Sequence, residues 1–175
     1  MSRIAARARR IAGGAAFLAL VAALAGAPAC ASGAPEPAPA PHGTQADARR
    51  AEVRFPSGRL FVAEIADTPE RQTEGYMFRR EVGESDAMIF VFPESGVHPF
   101  WMKNTLVPLD MIWMDEDFGV LSIEASAPPC KADPCPGYGP LRKARYVLEV
   151  RGGTAGKERL KTGDRLRISF PQPAR

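Results

Sequence analysis

The chain is short of the residues that build metal and nucleophile chemistry. Only two histidines, His42 and His98, and three cysteines, Cys30, Cys130 and Cys135, occur in 175 residues. Cys130 and Cys135 stand four residues apart, so a metal half-site there needs two further ligands, and too few imidazoles are present. No metal and no cofactor is implied. The chain shows no Ser-His-Asp order with a nucleophile elbow. It also lacks a second apolar run like the one at its start. Internal repeats are absent, and strands do not alternate with long helices, which argues against a parallel nucleotide-binding sheet.

What is present at the N-terminus is an export pattern. Arg3, Arg7, Arg9 and Arg10 precede an apolar run, Ile11 to Leu24, and small residues follow at Ala27 and Ala29. The run falls short of the ~20 apolar residues that span a bilayer, so residues 1–29 read as a signal peptide. Cys30 follows directly, and Gly26-Ala27-Pro28-Ala29-Cys30 resembles a lipoprotein cleavage site, with Ala27 where a Leu is usual. Two readings stand: a lipid at Cys30 that tethers the protein to a membrane, or plain cleavage and a soluble exported product. Residues 30–50 contain GAPEPAPAP and read as an extended Pro/Ala linker.

Removing residues 1–29 takes away four arginines and no acid, so the formal charge moves from +3 to −1. That removes the case for nucleic acid as a partner. Residues 51–175 then form one domain. In an oxidising compartment Cys130 and Cys135, set among prolines, read as a disulfide across a loop. Met77, Met88, Met102, Met111 and Met114 follow apolar strand positions and read as core; a Cu(I) site is the rival reading.

The domain reads as mainly β. Ala51–Phe55 and Arg59–Ile65 form a hairpin about Ser57-Gly58. Thr68-Pro69-Glu70 starts a short helix that ends near Gly75. Further strands are expected at Met88–Phe92, Phe100–Met102, Leu109–Met114, Val120–Ser126, Tyr146–Val150 and Arg165–Phe170. Pro93–Gly96 is expected to turn, Pro128–Pro140 to loop, and Thr154 to cap a second short helix. The expected fold is a single antiparallel β-sandwich or small barrel with one or two short helices.

From Val53 to Phe170 the chain resembles the bacterial and archaeal family of domain of unknown function 192. The resemblance rests on Gly75-Tyr76-Met77-Phe78-Arg79, Met88-Ile89-Phe90-Val91-Phe92, Phe100-Trp101-Met102-Lys103-Asn104-Thr105, Pro108-Leu109-Asp110, Pro129-Cys130 with Cys135-Pro136, and Tyr146-Val147-Leu148-Glu149-Val150. Tyr76 departs from the family's usual Leu. The resemblance implies a mainly β fold and no established activity.

Trp101, Lys103, Asn104, Thr105 and Asp110 are the candidate ligand-binding residues. Trp101 supplies a stacking platform, Lys103 a charge, and Asn104 paired donors and acceptor. The same residues also admit a structural reading. Asn104-Thr105 would then cap a turn, Asp110 would pair with Lys103 or Arg79, and the tryptophans would be core. Three functional expectations follow. The first is a non-catalytic envelope module that binds a small ligand or an envelope protein. The second is an envelope hydrolase or lyase with Asp110 and His98 in acid–base roles. The third is a purely structural interaction domain.

Overall fold

The computed structural model describes residues 49–172. The signal peptide, Cys30 and nearly all of the Pro/Ala linker lie outside the described residues.

The chain opens with β1 (Arg50–Arg54) and β2 (Leu60–Ala66), whose burial alternates along each strand. They pair antiparallel, with Val53 opposite Phe61. Gly58 closes the turn at a φ of 91°, a conformation that glycine adopts without a Cβ clash. α1 (Pro69–Glu74) follows. The Thr68 side chain accepts from the Arg71 N–H, Pro69 takes the first helical position, and Gly75 ends the helix.

α1 carries the chain over to β3 (Asp86–Gly96), which lies parallel to β2 with Ile65 opposite Ile89. The expectation of antiparallel pairing throughout therefore meets one exception. A six-residue helix leaves little periodic signal, yet the connection is long enough for a parallel crossover. Gln72 anchors it, its Nε2 donating to the carbonyls of Ala66 at 3.3 Å and Val91 at 2.9 Å.

β4 (Phe100–Trp101), β5 (Leu109–Met114), β6 (Val120–Ala127), β7 (Gly137–Tyr138), β8 (Ala144–Arg151), α2 (Thr154–Lys157) and β9 (Arg167–Ser169) complete the domain. Seven strands form one sheet in the order β6-β5-β8-β3-β2-β1-β9. The Val120 N–H donates to the Asp164 carbonyl and the Leu166 N–H to the Phe118 carbonyl. These bonds bring the start of β6 to the segment before β9, so the sheet curls towards closure. The mainly β fold with two short helices is thus as expected. Pro93–Gly96 continues β3 as an irregular extension, with a register shift after Val91, because proline lacks the N–H a regular ladder needs. β7 lies inside the stretch expected to be a loop.

The sheet is covered on both faces. Ile89, Ile112, Leu148 and Val150 pack in one core with Val53, Phe61 and Leu166. Met88, Phe90, Met111, Trp113 and Val147 pack in a second, with Tyr76, Val82 and Met102. Successive strand residues point to opposite faces, so β3, β5 and β8 each feed both cores. The second layer is irregular chain. The β4–β7 pair and a Cys130–Cys135 disulfide with Cα atoms 5.7 Å apart shape it. Four of the five methionines singled out in sequence, Met88, Met102, Met111 and Met114, are buried in these cores.

Asp110 joins three segments from within. Its side chain is fully buried; Oδ1 accepts from the N–H groups of Ser126 at 2.7 Å and Gly153 at 2.8 Å, and Oδ2 from Ala155 at 2.6 Å. Gly152 sits tight beside this latch, since a Cβ there would lie 2.9 Å from the Pro108 Cβ. Replacing Asp110 by Ala removes the acceptor of three backbone N–H groups, of which that of Ala155 is buried, so urea denaturation of the variant should show a loss of about 2–3 kcal/mol.

Candidate functional site

The Phe100–Thr105 segment splits its side chains by role. Phe100 rests edge-on against Phe90, with ring centroids 4.7 Å apart, and Met102 is fully buried. Trp101 points outward with 50% of its surface exposed, and the Lys103 Nζ lies 5.6 Å from its ring centroid. Lys103 and Asn104 form a tight turn closed by the Thr105 N–H on the Met102 carbonyl. Asn104 takes a φ of 56°, which asparagine tolerates better than most residues. Its carbonyl accepts from the Phe78 N–H, and its side-chain amide faces the Met77 sulfur at 3.9 Å. Thr105 is buried and pairs with Met77 in an isolated bridge.

The structure therefore brings Trp101, Lys103, Asn104 and Thr105 together, and it places Asp110 elsewhere. Asp110 shares its strand face with Ile112 and Met114, whereas Trp113 faces the second layer, where its Nε1–H donates to the His98 carbonyl. Asp110 and His98 thus belong to opposite faces of the sheet. The carboxylate of Asp110 is bonded to backbone N–H groups rather than to Lys103 or Arg79.

A groove runs beside Trp101. Its wider part is a depression of about 160 Å³ between Phe92, His98 and Trp101, with Gln72, Phe90 and Phe100 beneath. His98 is half-buried and stacks on Phe92 with ring centroids 3.5 Å apart. Burial lowers its pKa, with the backbones of Glu94 and Ala144 acting the other way. Gln72, Phe90, Phe100 and Trp101 also line a deeper cavity of about 30 Å³.

That deeper cavity holds the group the sequence reading passed over. Glu149 lies on β8 between Met88 and Met111, on the face that packs the second layer. It is 4% exposed, and its Oε2 has no hydrogen-bond partner among the described residues. Burial pushes its carboxyl up to about 8, against the opposing pull of Arg79. Tyr76 lines the same cavity, 3% exposed, with a hydroxyl that also lacks a partner among the described residues. Burial, then the neighbouring Glu149, raises its pKa. Gly75 sits beside the cavity at a φ of 48°, where glycine carries no Cβ penalty; a Cβ there would be in ordinary contact with the Phe90 ring and the Glu149 Oε2.

Arg79 frames this pair. Its guanidinium lies 4.9 Å from the Tyr76 ring centroid and bonds Glu64 twice, at 2.7 and 2.8 Å. The hydrogen bond from Arg79 is the chief cause that holds the Glu64 carboxyl below its usual range. A readable sign of Glu149 was its place in Tyr146–Val150, a strand apolar on both faces apart from this carboxylate. Tyr76 is buried as a packing residue would be, yet it adds a hydroxyl to the cavity.

The protein is, by class, a small mainly β domain with a curled sheet, an irregular second layer and a carboxyl-floored groove between them. It belongs to the DUF192 family of uncharacterized ACR proteins, which its residues 53–168 match. Crystal structures similar to this chain include these two. One, from Sinorhizobium meliloti 1021 and described as a candidate transcription regulator, is 31% identical with a TM-score of 0.61. The alignment covers 69% of this chain and 92% of that one. The other, a protein of unknown function from Novosphingobium aromaticivorans DSM 12444, is 34% identical with a TM-score of 0.61. There the alignment covers 67% of this chain and 83% of that one. No curated protein matches the chain.

Glu149 makes stability depend on pH. Between its ordinary value of 4.5 and about 8 the folded protein keeps this proton while the unfolded chain loses it. The folded state then binds more protons, so this group's contribution to stability falls as pH rises through that window. Unfolding free energies from urea titrations between pH 4.5 and 8 should fall more steeply in the parent than in Glu149→Gln, by a few kcal/mol in total.

Proposed function

We propose that the protein is an exported, non-catalytic binding module that takes a small ligand into the groove beside Trp101. The observation that carries this reading is a half-exposed tryptophan standing over a cavity with two buried, partnerless polar groups, Glu149 and Tyr76. An unpartnered buried polar atom costs free energy that a ligand's hydrogen bonds can recover. A wall of rings with a few convergent polar groups is the usual make-up of a small-molecule site. Half of the Trp101 surface is exposed, which leaves ring area for a ligand to stack on.

Within this reading the candidate set shifts. Trp101 keeps its role as platform and Lys103 lies at the rim. Asn104 and Thr105 hold the turn that presents them. Glu149 and Tyr76 replace Asp110 as the polar floor.

The envelope location is part of the same proposal. The basic start, the apolar run and the small residues before Cys30 support export, with a lipid at Cys30 as the membrane tether. The Cys130–Cys135 disulfide suits an oxidising compartment.

Two measurements test the proposal. Mass spectrometry of the mature protein should find a diacylated Cys30 at the N-terminus; an unmodified end at Cys30, Ala31 or Ser32 removes the tether. A thermal-shift screen of the mature protein against amines, sugars, alcohols and anions should give at least one hit. Trp101→Ala should weaken that hit at least tenfold while leaving the melting temperature of the free protein within about 2 °C. A hit that Trp101→Ala leaves unchanged would place binding outside the groove.

A further inference from the structure

We infer that the groove is built for an organic ammonium ion, with the charged head beside Glu149 in the deep cavity and the carbon body along the depression against Trp101 and Phe92. The inference rests on the binding reading above and names its ligand class.

The lining of the deep cavity points to a cation. It includes two glutamates, Glu74 and Glu149, and the rings of Tyr76, Phe90, Phe100 and Trp101, with no lysine or arginine. Aromatic rings present their negative faces to cations, and a ring set completed by a carboxylate is the usual solution for ammonium groups. The acids are accompanied by the independent mark of a ligand site: Glu149 and Tyr76 are more than nine-tenths buried and each has a polar atom without a partner. A group with three N–H donors would reach the Glu149 oxygen and the Tyr76 hydroxyl together.

Size agrees. About 30 Å³ admits a head of one or two heavy atoms, which suits a primary amine and excludes a sugar ring. The adjoining 160 Å³ accepts a short carbon chain or a flat ring. The wider part is lined by Phe92, His98, Pro99 and Trp101 and offers no second carboxylate. One charged end and one apolar end are therefore specified.

The charges facing Glu149 come from several elements. Arg79 lies nearest in effect, but Glu64 on β2 engages both of its nitrogens. Glu74 at the end of α1 lines the cavity, and the negative charges of Glu64 and Asp86 reach Tyr76. His98 sits at the outer part of the groove. Arg79 is the cation that acts on both Glu149 and Tyr76, Arg50 and Arg71 act on Glu64, and Lys103 stands over the outer ring of Trp101.

The experiment uses the mature protein with n-butylamine, n-butanol and glucose as probes. Calorimetry in two buffers with different ionisation heats counts the protons exchanged. Butylamine should bind at least tenfold more tightly than butanol, and glucose should not bind. Because the free carboxyl holds its proton at neutral pH, amine binding should release about one proton. Its affinity should rise about tenfold per pH unit towards pH 8. Glu149→Gln should abolish both the proton release and the pH dependence, and Trp101→Ala should weaken binding without altering either. Butanol or glucose binding in a Trp101-dependent manner, with no preference for the amine, would overturn the ammonium inference and leave the groove reading standing. Failure of butylamine to bind at about 50 mM, enough to fill nearly all of a site with a dissociation constant of about 1 mM, would overturn the ammonium inference, and failure of the wider screen as well would sink both.

Discussion

Strand β5 is buried at every position, and that single constraint organises the molecule. A strand with no solvent face must be covered twice. The curled sheet covers one side with its own far strands, as Ile112 and Met114 meet Val53 and Phe61 in one core. The other side receives irregular chain. Such chain covers a sheet only if its own backbone is held, and three devices do this. The β4–β7 pair, the Cys130–Cys135 disulfide and the turn at Asn104 tie the second layer to itself. Asp110 works from the first core, fastening the end of β6 and the entry to α2 to β5.

An irregular layer fills space less evenly than a helix or a second sheet. The groove lies where α1, the Tyr76–Arg79 segment and β4 meet above β3 and β8. Its floor is a strand position, Glu149, whose cross-strand neighbours on this face are Met88 and Met111. A carboxyl in that place loses its hydration and is pushed towards the neutral form, as its raised pKa records. Arg79 moderates the effect and is itself held by Glu64, so three ionisable groups and the Tyr76 phenol share one electrostatic balance. Placing such a group in a well-packed interior is costly to stability, and functional sites are where such costs collect.

Much of this was legible beforehand. The hairpin at Gly58, the cap at Thr68, the limits of β5 and the pairing of Cys130 with Cys135 all follow from short-range chemistry: turn conformations, a missing proline N–H, alternation of side chains, and two thiols four residues apart. Trp101 was also legible as an outward residue, since alternation from the apolar Phe100 and Met102 puts it on the other side. For Asp110 two readings stood, a ligand-binding residue or a carboxylate paired with Lys103 or Arg79, and the fold instead surrounds it with backbone N–H groups from residues distant in sequence. Glu149 was read as one letter in an apolar strand.

The sequence by itself therefore determined the local elements, their ends, and which residues alternate. Tertiary structure alone decided that β3 lies parallel to β2, that β7 forms within a proline-rich loop, and which of two similar carboxylates is satisfied. The reason is the same in each case. Alternation says that a residue changes faces, but only the packed neighbours determine what lies beyond that face. For Asp110 the neighbours are three N–H groups; for Glu149 they are aromatic rings and an empty space.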